Sequence, residues 1–152
     1  MKSKNILDLR LPDLLAFVKQ CCHENLHDNL VELREHSQRR ARICHLAEDV
    51  LSLIRRIQHH LAHEENNFFP LIEKGDHRAS NVFPIHALVD EHDELIEGIT
   101  ALRTKTNDFE VTPELTSDSI AYYGRLVELE RILTNHTQIQ NRILYPMVLK
   151  IS

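Results

Sequence analysis

Two stretches of this chain repeat one frame. His60-Leu-Ala-His-Glu64 is followed at a fixed offset by Phe69-Pro70, and His136-Thr-Gln-Ile-Gln140 is followed at the same offset by Tyr145-Pro146. Residues four apart on a helix lie one above the other, so each histidine shares a face with its Glu or Gln. The same faces carry apolar seams: Val50, Leu53, Ile57, Phe68 and Leu71 around the first pair, and Tyr122, Leu126, Leu129, Leu133, Ile143 and Met147 around the second. Both pairs therefore point into a core. An ionisable group buried there without a partner costs on the order of several kcal/mol. A cation removes that cost, because imidazole nitrogen and carboxylate oxygen are its ligands. Without a metal, each pair reads as a hydrogen-bonded couple, His60 with Glu64 and His136 with Gln140.

Two more histidines belong to the same theme. His92 has Leu88 and Val89 before it and Leu95 and Ile96 after it, all on its own side. His23 borders the stripe of the first helical stretch, with His27 and His36 as alternatives for that position. Four inward imidazoles with one or two side-chain oxygens exceed a single tetrahedral zinc site. They suit two metals sharing a bridge, and iron is the metal most at home in such a set; zinc and manganese stay open. His45, His59, His63, His77 and His86 read as surface or ligand-orienting residues. A ferritin-like site needs two Glu-x-x-His motifs, and only Glu24-x-x-His27 has that spacing.

The elements that must position these residues are helices. The chain has 152 residues, 42% of them hydrophobic and 27% charged, which suits one globular domain rather than a disordered or membrane-spanning chain. Three Gly and five Pro are too few for a turn-rich β fold, and a net charge of −5 argues against a nucleic-acid partner. No apolar run approaches a membrane span, and MKSKNILDLRLPD lacks the apolar core of a signal peptide. Three Cys make no disulfide framework, so a reducing cytoplasm is the expected compartment.

Helical periodicity predicts an all-α, up-down-up-down four-helix bundle over residues 12–150, with an N-terminal arm at 1–11. Pro12 opens the first helix, whose stripe is Leu14, Leu15, Val18, Cys22, Leu26, Leu30 and Leu33. A turn near His45–Asp49 leads to the second helix, which ends at Lys74-Gly75. Pro84 opens the third after the polar loop GDHRASNVF. Thr112-Pro113-Glu114 starts the fourth, after KTNDFEVTP. Pro70 and Pro146 are expected to kink or end their helices and to shape a pocket mouth.

The segments HHLAHEENNFFPLIE (59–73), PIHALVDEHDEL (84–95) and NHTQIQNRILYP (135–146) resemble the hemerythrin-like, HHE cation-binding family, over about residues 12–148. EHDE around His92 and CHENLHDNLVEL (22–33) look most like the di-iron proteins that repair iron–sulfur centres after nitrosative stress. The resemblance implies a non-haem di-iron centre with bridging carboxylates. Its ligands would fall on His23, His60, Glu64, His92, His136 and Gln140.

There are two departures. Gln140 stands where the family has Glu, and a neutral amide is a poor bridge, so binding of a second metal should weaken. Glu91 and Glu65 are nearby, off the seam. The repair proteins also carry a separate N-terminal domain with a Cys-Cys pair in a glycine-containing motif, whereas Cys21-Cys22 lies inside the first bundle helix, without those glycines, and reads as packing.

The expectation is an iron-binding, stress-responsive module that takes up O2 or NO, with no nucleic-acid or membrane partner; a protein partner or homodimer stays open. The alternatives are an iron–sulfur repair or iron-donor factor, or a helical interaction protein whose metal site is partly lost.

Overall fold

The computed structural model describes residues 5–40, 45–75 and 85–151. Pro84, His77 and most of the polar loop before the third helix lie outside those residues. Four helical rods make up the described chain, and no strand occurs among its residues. The first rod is α1 (Leu11–Phe17), a π-helical turn π1 (Val18–His23) and α2 (Glu24–Arg40), with Pro12 in its first turn. The second is α3 (His45–His63), π2 (Glu64–Phe68) and α4 (Phe69–Glu73). It is followed by Gly75 at φ 66°, a left-handed position where Gly carries no Cβ penalty. The third is α5 (Ile85–Lys105). The fourth is α6 (Ser117–Ile139), π3 (Gln140–Leu144) and α7 (Tyr145–Ile151). α2 packs on α3 and α6, and α5 packs on the same two, so the rods close a ring in sequence order. This is the four-helix bundle expected from the periodicity.

Two boundaries differ from that expectation. α3 already begins at His45, so His45–Asp49 is helix rather than turn, and Ala47 within it is fully buried. α6 begins at Ser117, not near Thr112. Thr116 is the true cap: its hydroxyl accepts the Ser119 backbone N–H at 3.1 Å, while Pro113-Glu114 occupy a turn before it.

The core is built in three levels. One apolar cluster includes Leu26, Leu30, Leu33, Leu53, Ile57, Leu61, Leu95, Leu126 and Leu133. A second includes Leu14, Val18, Phe68, Phe69, Leu88, Leu144 and Tyr145. Along every rod the chain passes from one cluster to the other through a buried polar residue: His23, then His60 and Glu64, then His92, then His136 and Gln140. Ile6 and Leu9 pack partly buried against the second cluster, around the short 3-10 turn Ile6–Asp8.

All three π turns lie at this polar level. Their closing bonds span five residues: Glu24 N–H to the Lys19 carbonyl, Phe69 N–H to Glu64, and Tyr145 N–H to Gln140. Pro70 and Pro146 explain two of them. Proline lacks the N–H and crowds the preceding turn, and a widened turn just before it accommodates both defects without ending the rod. The prolines therefore neither break nor terminate their rods.

The extra residue in each wide turn also shifts the helical phase. Past Glu64 the buried positions are Phe68, Phe69 and Ile72, while Leu71 is half-buried. Past Gln140 they are Leu144, Tyr145 and Val148, while Ile143 and Met147 are half-buried. A regular period of 3.6 had placed Leu71, Ile143 and Met147 in the seam.

This phase shift is testable by truncation. Leu144→Ala should cost about 2–5 kcal/mol by chemical denaturation, as expected for a fully buried leucine. Ile143→Ala should cost less than half as much. The reverse order would show that the rod continues in regular α-helical phase.

Candidate metal centre

Each functional side chain is placed by its rod at the polar level. His60 comes from the last turn of α3, Glu64 opens π2, His92 lies on α5, and His136 lies in the last turn of α6. All four are buried, and each offers a ligand atom within 4.8 Å of the others. His23 ends π1 and Gln140 opens π3; both are buried in the same layer, though His23 is not part of that four-residue group.

The layer converges on one oxygen. Glu64 Oε1 lies 2.8 Å from His60 Nε2, 3.7 Å from His136 Nε2 and 3.8 Å from His23 Nε2. His92 Nε2 comes within 2.9 Å of His60 Nε2. The outer faces of two rings are held. His60 Nδ1 donates to Glu91 Oε2 at 2.6 Å, and His92 Nδ1 donates to Asn141 Oδ1 at 2.8 Å. With its proton on Nδ1, a neutral ring has Nε2 free to ligate, and the two Nε2 atoms stand 2.9 Å apart beside the Glu64 carboxylate. Both ring nitrogens of His136 lack a hydrogen-bond partner, and of the imidazoles around Glu64 Oε1 only His60 comes within hydrogen-bond distance.

The proton affinities follow from burial and from neighbours. Burial, with help from nearby imidazoles, lowers His23 to about 3 and His92 to about 4, so both are neutral ligand-type imidazoles at pH 7. Burial alone would raise Glu64. The imidazoles of His136 and His60 outweigh it and hold the carboxyl well below its usual range. Burial would lower His60, but Glu64 and Glu91 reverse the direction. The result is an ionised carboxylate in a dry layer of imidazole nitrogens.

That donor set fits a cation. A buried carboxylate needs a compensating charge, the neutral imidazoles of His23 and His92 present lone pairs, and the lysines and arginines described are not in the layer, so a cation can take the place of a proton on His60. Nitrogen and oxygen ligands of this kind suit iron, zinc or manganese. A surface cavity of about 310 Å³ between α3 and α5 reaches His60, with Glu91, Arg55, Arg56 and His59 in its walls.

The other histidines divide as follows. His27 is half-exposed and bonds Glu65 at 3.0 Å, so it stands outside the layer. His36 is buried elsewhere, against Tyr122 and Asp118. Of the three first-rod alternatives, His23 alone reaches Glu64. His45, His59 and His86 are exposed, and His63 lies 3.6 Å from Glu91. Glu91 and Glu65 do not enter the layer. Glu91 orients His60 from outside, and Glu65 lies 3.7 Å from His23 Nδ1.

Tyr145 was missed by the sequence reading. Its hydroxyl lies 3.1 Å from both Glu64 Oε2 and Gln140 Oε1, and its ring stacks on His92 at 5.7 Å. Burial, then the Glu64 charge, keeps it a neutral phenol. The signal was the aromatic-Pro pair in the repeat: Phe69 packs on His23 at 5.0 Å, as Tyr145 packs on His92. Asn141 gave no such signal.

Fold and site together define a helical bundle with a buried cation-binding cluster of histidines and a carboxylate. The family model described as the hemerythrin HHE cation binding domain matches residues 20–148, and the chain belongs to that family. Its curated relatives include the iron-sulfur cluster repair protein YtfE of Musicola paradisiaca, 24% identical over 97% of this chain and 69% of the relative. YtfE of Edwardsiella ictaluri is 28% identical over 91% of this chain and 66% of the relative. YtfE of Escherichia coli O157:H7 is 31% identical over 59% of this chain and 40% of the relative. The chain thus spans two-thirds or less of the length of most of these proteins.

The outer bond on His60 makes a prediction. Glu91→Ala should weaken metal affinity about 10–100-fold, measured by competition with a chromophoric chelator. Unchanged affinity would show that the His60–Glu91 bond does not orient the ring for binding.

Proposed function

We propose that this chain is a non-haem iron-binding protein that binds or senses O2 or NO at the centre of the bundle. One observation carries the reading: imidazole nitrogens gather on a single oxygen of a buried, ionised carboxylate, in a layer that holds no lysine or arginine among the described residues. His60, Glu64, His92 and His136 would hold the metal, with His23 and Gln140 completing the layer. Bound iron supplies an open coordination position for a small diatomic ligand.

The chain's own residues do the rest. Glu91 and Asn141 fix the tautomers of His60 and His92 through their Nδ1 protons. The two apolar clusters keep bulk water out of the layer from above and below. Tyr145 keeps its proton beside Glu64 and supplies a hydrogen-bond donor within the dry site. The cavity at His60 gives a small ligand its approach.

A second reading follows from the relatives, whose names describe iron–sulfur cluster repair. In that reading the same centre supplies iron to a damaged cluster, and the partner is the damaged protein.

Anaerobic loading with Fe(II) tests the first reading. At free metal about 100-fold above Kd, linkage should add about 2.7 kcal/mol of stability. For a chain of this size that raises the thermal midpoint by roughly 5–10 °C. The visible spectrum should then change on adding NO or O2. A midpoint indifferent to iron would overturn the metal centre, and a spectrum indifferent to both gases would overturn the ligand. Restoration of a damaged iron–sulfur enzyme by the wild-type chain, lost in Glu64→Ala, would favour the repair reading.

A further inference from the structure

Of the four positions that define the repeated frame, two differ between its halves, and in the second half those two residues touch. Where the first half has Glu64 and Phe69, the second has Gln140 and Tyr145. The Tyr145 hydroxyl lies 3.1 Å from Gln140 Oε1, a carbonyl oxygen that can accept its proton. The Gln140 amide N–H donates to Glu64 Oε2 at 2.8 Å. The same nitrogen lies 3.4 Å from His23 Nε2.

These contacts fix the amide's orientation. Turned over, its carbonyl oxygen would face a carboxylate oxygen at the distance of a hydrogen bond, with no proton between them. The NH2 group therefore stands between His23 and the outer oxygen of Glu64. A second cation bridged by Glu64 and held by His23 would have to occupy that same place.

The two carboxylate oxygens consequently have different jobs. Oε1 faces the nitrogens of His60, His136 and His23, whereas Oε2 accepts the Gln140 amide N–H and lies 3.1 Å from the Tyr145 hydroxyl, whose single proton it shares with Gln140 Oε1. Charge points the same way. Among the described residues Glu64 is the one buried carboxylate of the layer, and one dication already outweighs it. A second would leave an uncompensated positive charge in a low-dielectric core.

We infer that the Gln140 amide, anchored by Tyr145, closes the second half of the centre, so that the chain holds one metal ion on His60, Glu64, His92 and His136. His23 then serves as a neutral neighbour of the amide rather than a ligand. The inference rests on the proposal that this cluster binds metal, and its test separates the two.

The experiment counts ions on the full chain. Wild type and Gln140→Glu are loaded anaerobically with Fe(II), and separately with Zn(II), freed of excess metal, and measured by elemental analysis and native mass spectrometry. Wild type should hold one ion per chain with either metal, and Gln140→Glu should approach two. After oxidation the iron-loaded wild type should give the EPR signal of isolated high-spin ferric iron, not the silent spectrum of a coupled pair. Two ions on wild type would overturn this inference and leave the metal centre standing. One ion on both proteins would show that the amide is not what closes the second half. No ion on wild type would overturn the metal centre itself. The wild-type count stands whether or not the variant folds.

Discussion

The charge on Glu64 is the constraint around which this bundle is organised. A carboxylate shut away from water must find its counter-charge and its hydrogen bonds inside the protein. Here every rod sends a polar side chain to the level of Glu64, and the apolar core divides into two clusters to leave that level free. The rings have little freedom of their own. His60 and His92 are held from outside by Glu91 and Asn141, and His92 and His23 are packed by Tyr145 and Phe69. The protein's own contacts thus orient the rings that would hold an ion.

Backbone and site are linked through the wide turns. His23, Glu64 and Gln140 each belong to a π-helical turn. The added residue turns the following part of the rod so that Phe69 and Tyr145 face inward, against His23 and His92. In an unbroken α-helix the inward positions would have passed to Leu71 and Ile143 instead. The prolines behind two of these turns therefore help to set which aromatic ring lines the layer.

Much of this was legible in the chain itself. The four amphipathic stretches, the His-x3-Glu and His-x3-Gln pairs, and His92 within its apolar neighbours were all visible as period and residue type. The stripe of the first helix from Leu14 to Leu33 is buried as read. What escaped the reading had physical reasons. A π turn has no propensity signature, so the phase change past Glu64 and Gln140 could not be seen. The Thr112-Pro113-Glu114 signature fits a helix start, but the cap is the hydroxyl that reaches a free N–H, that of Thr116, and that is a matter of geometry. Tyr145 was read only as the aromatic of the repeated pair, because its hydroxyl matters only once Gln140 lies beside it. Glu91 and Asn141 act across from neighbouring rods, and no spacing within one helix reports such a bond.

The wide turns also change what a one-residue insertion or deletion means in this protein. In a regular bundle, losing a residue rotates everything downstream by about a hundred degrees and ruins the core. At residues 64–68 and 140–144 the surplus residue is already absorbed, so a shortening confined there would straighten the rod rather than unfold it. Its price would be the aromatic lining of the pocket. Length variation at these two places is therefore a route by which descendants of one ancestral bundle could exchange the walls of the cavity while keeping the scaffold.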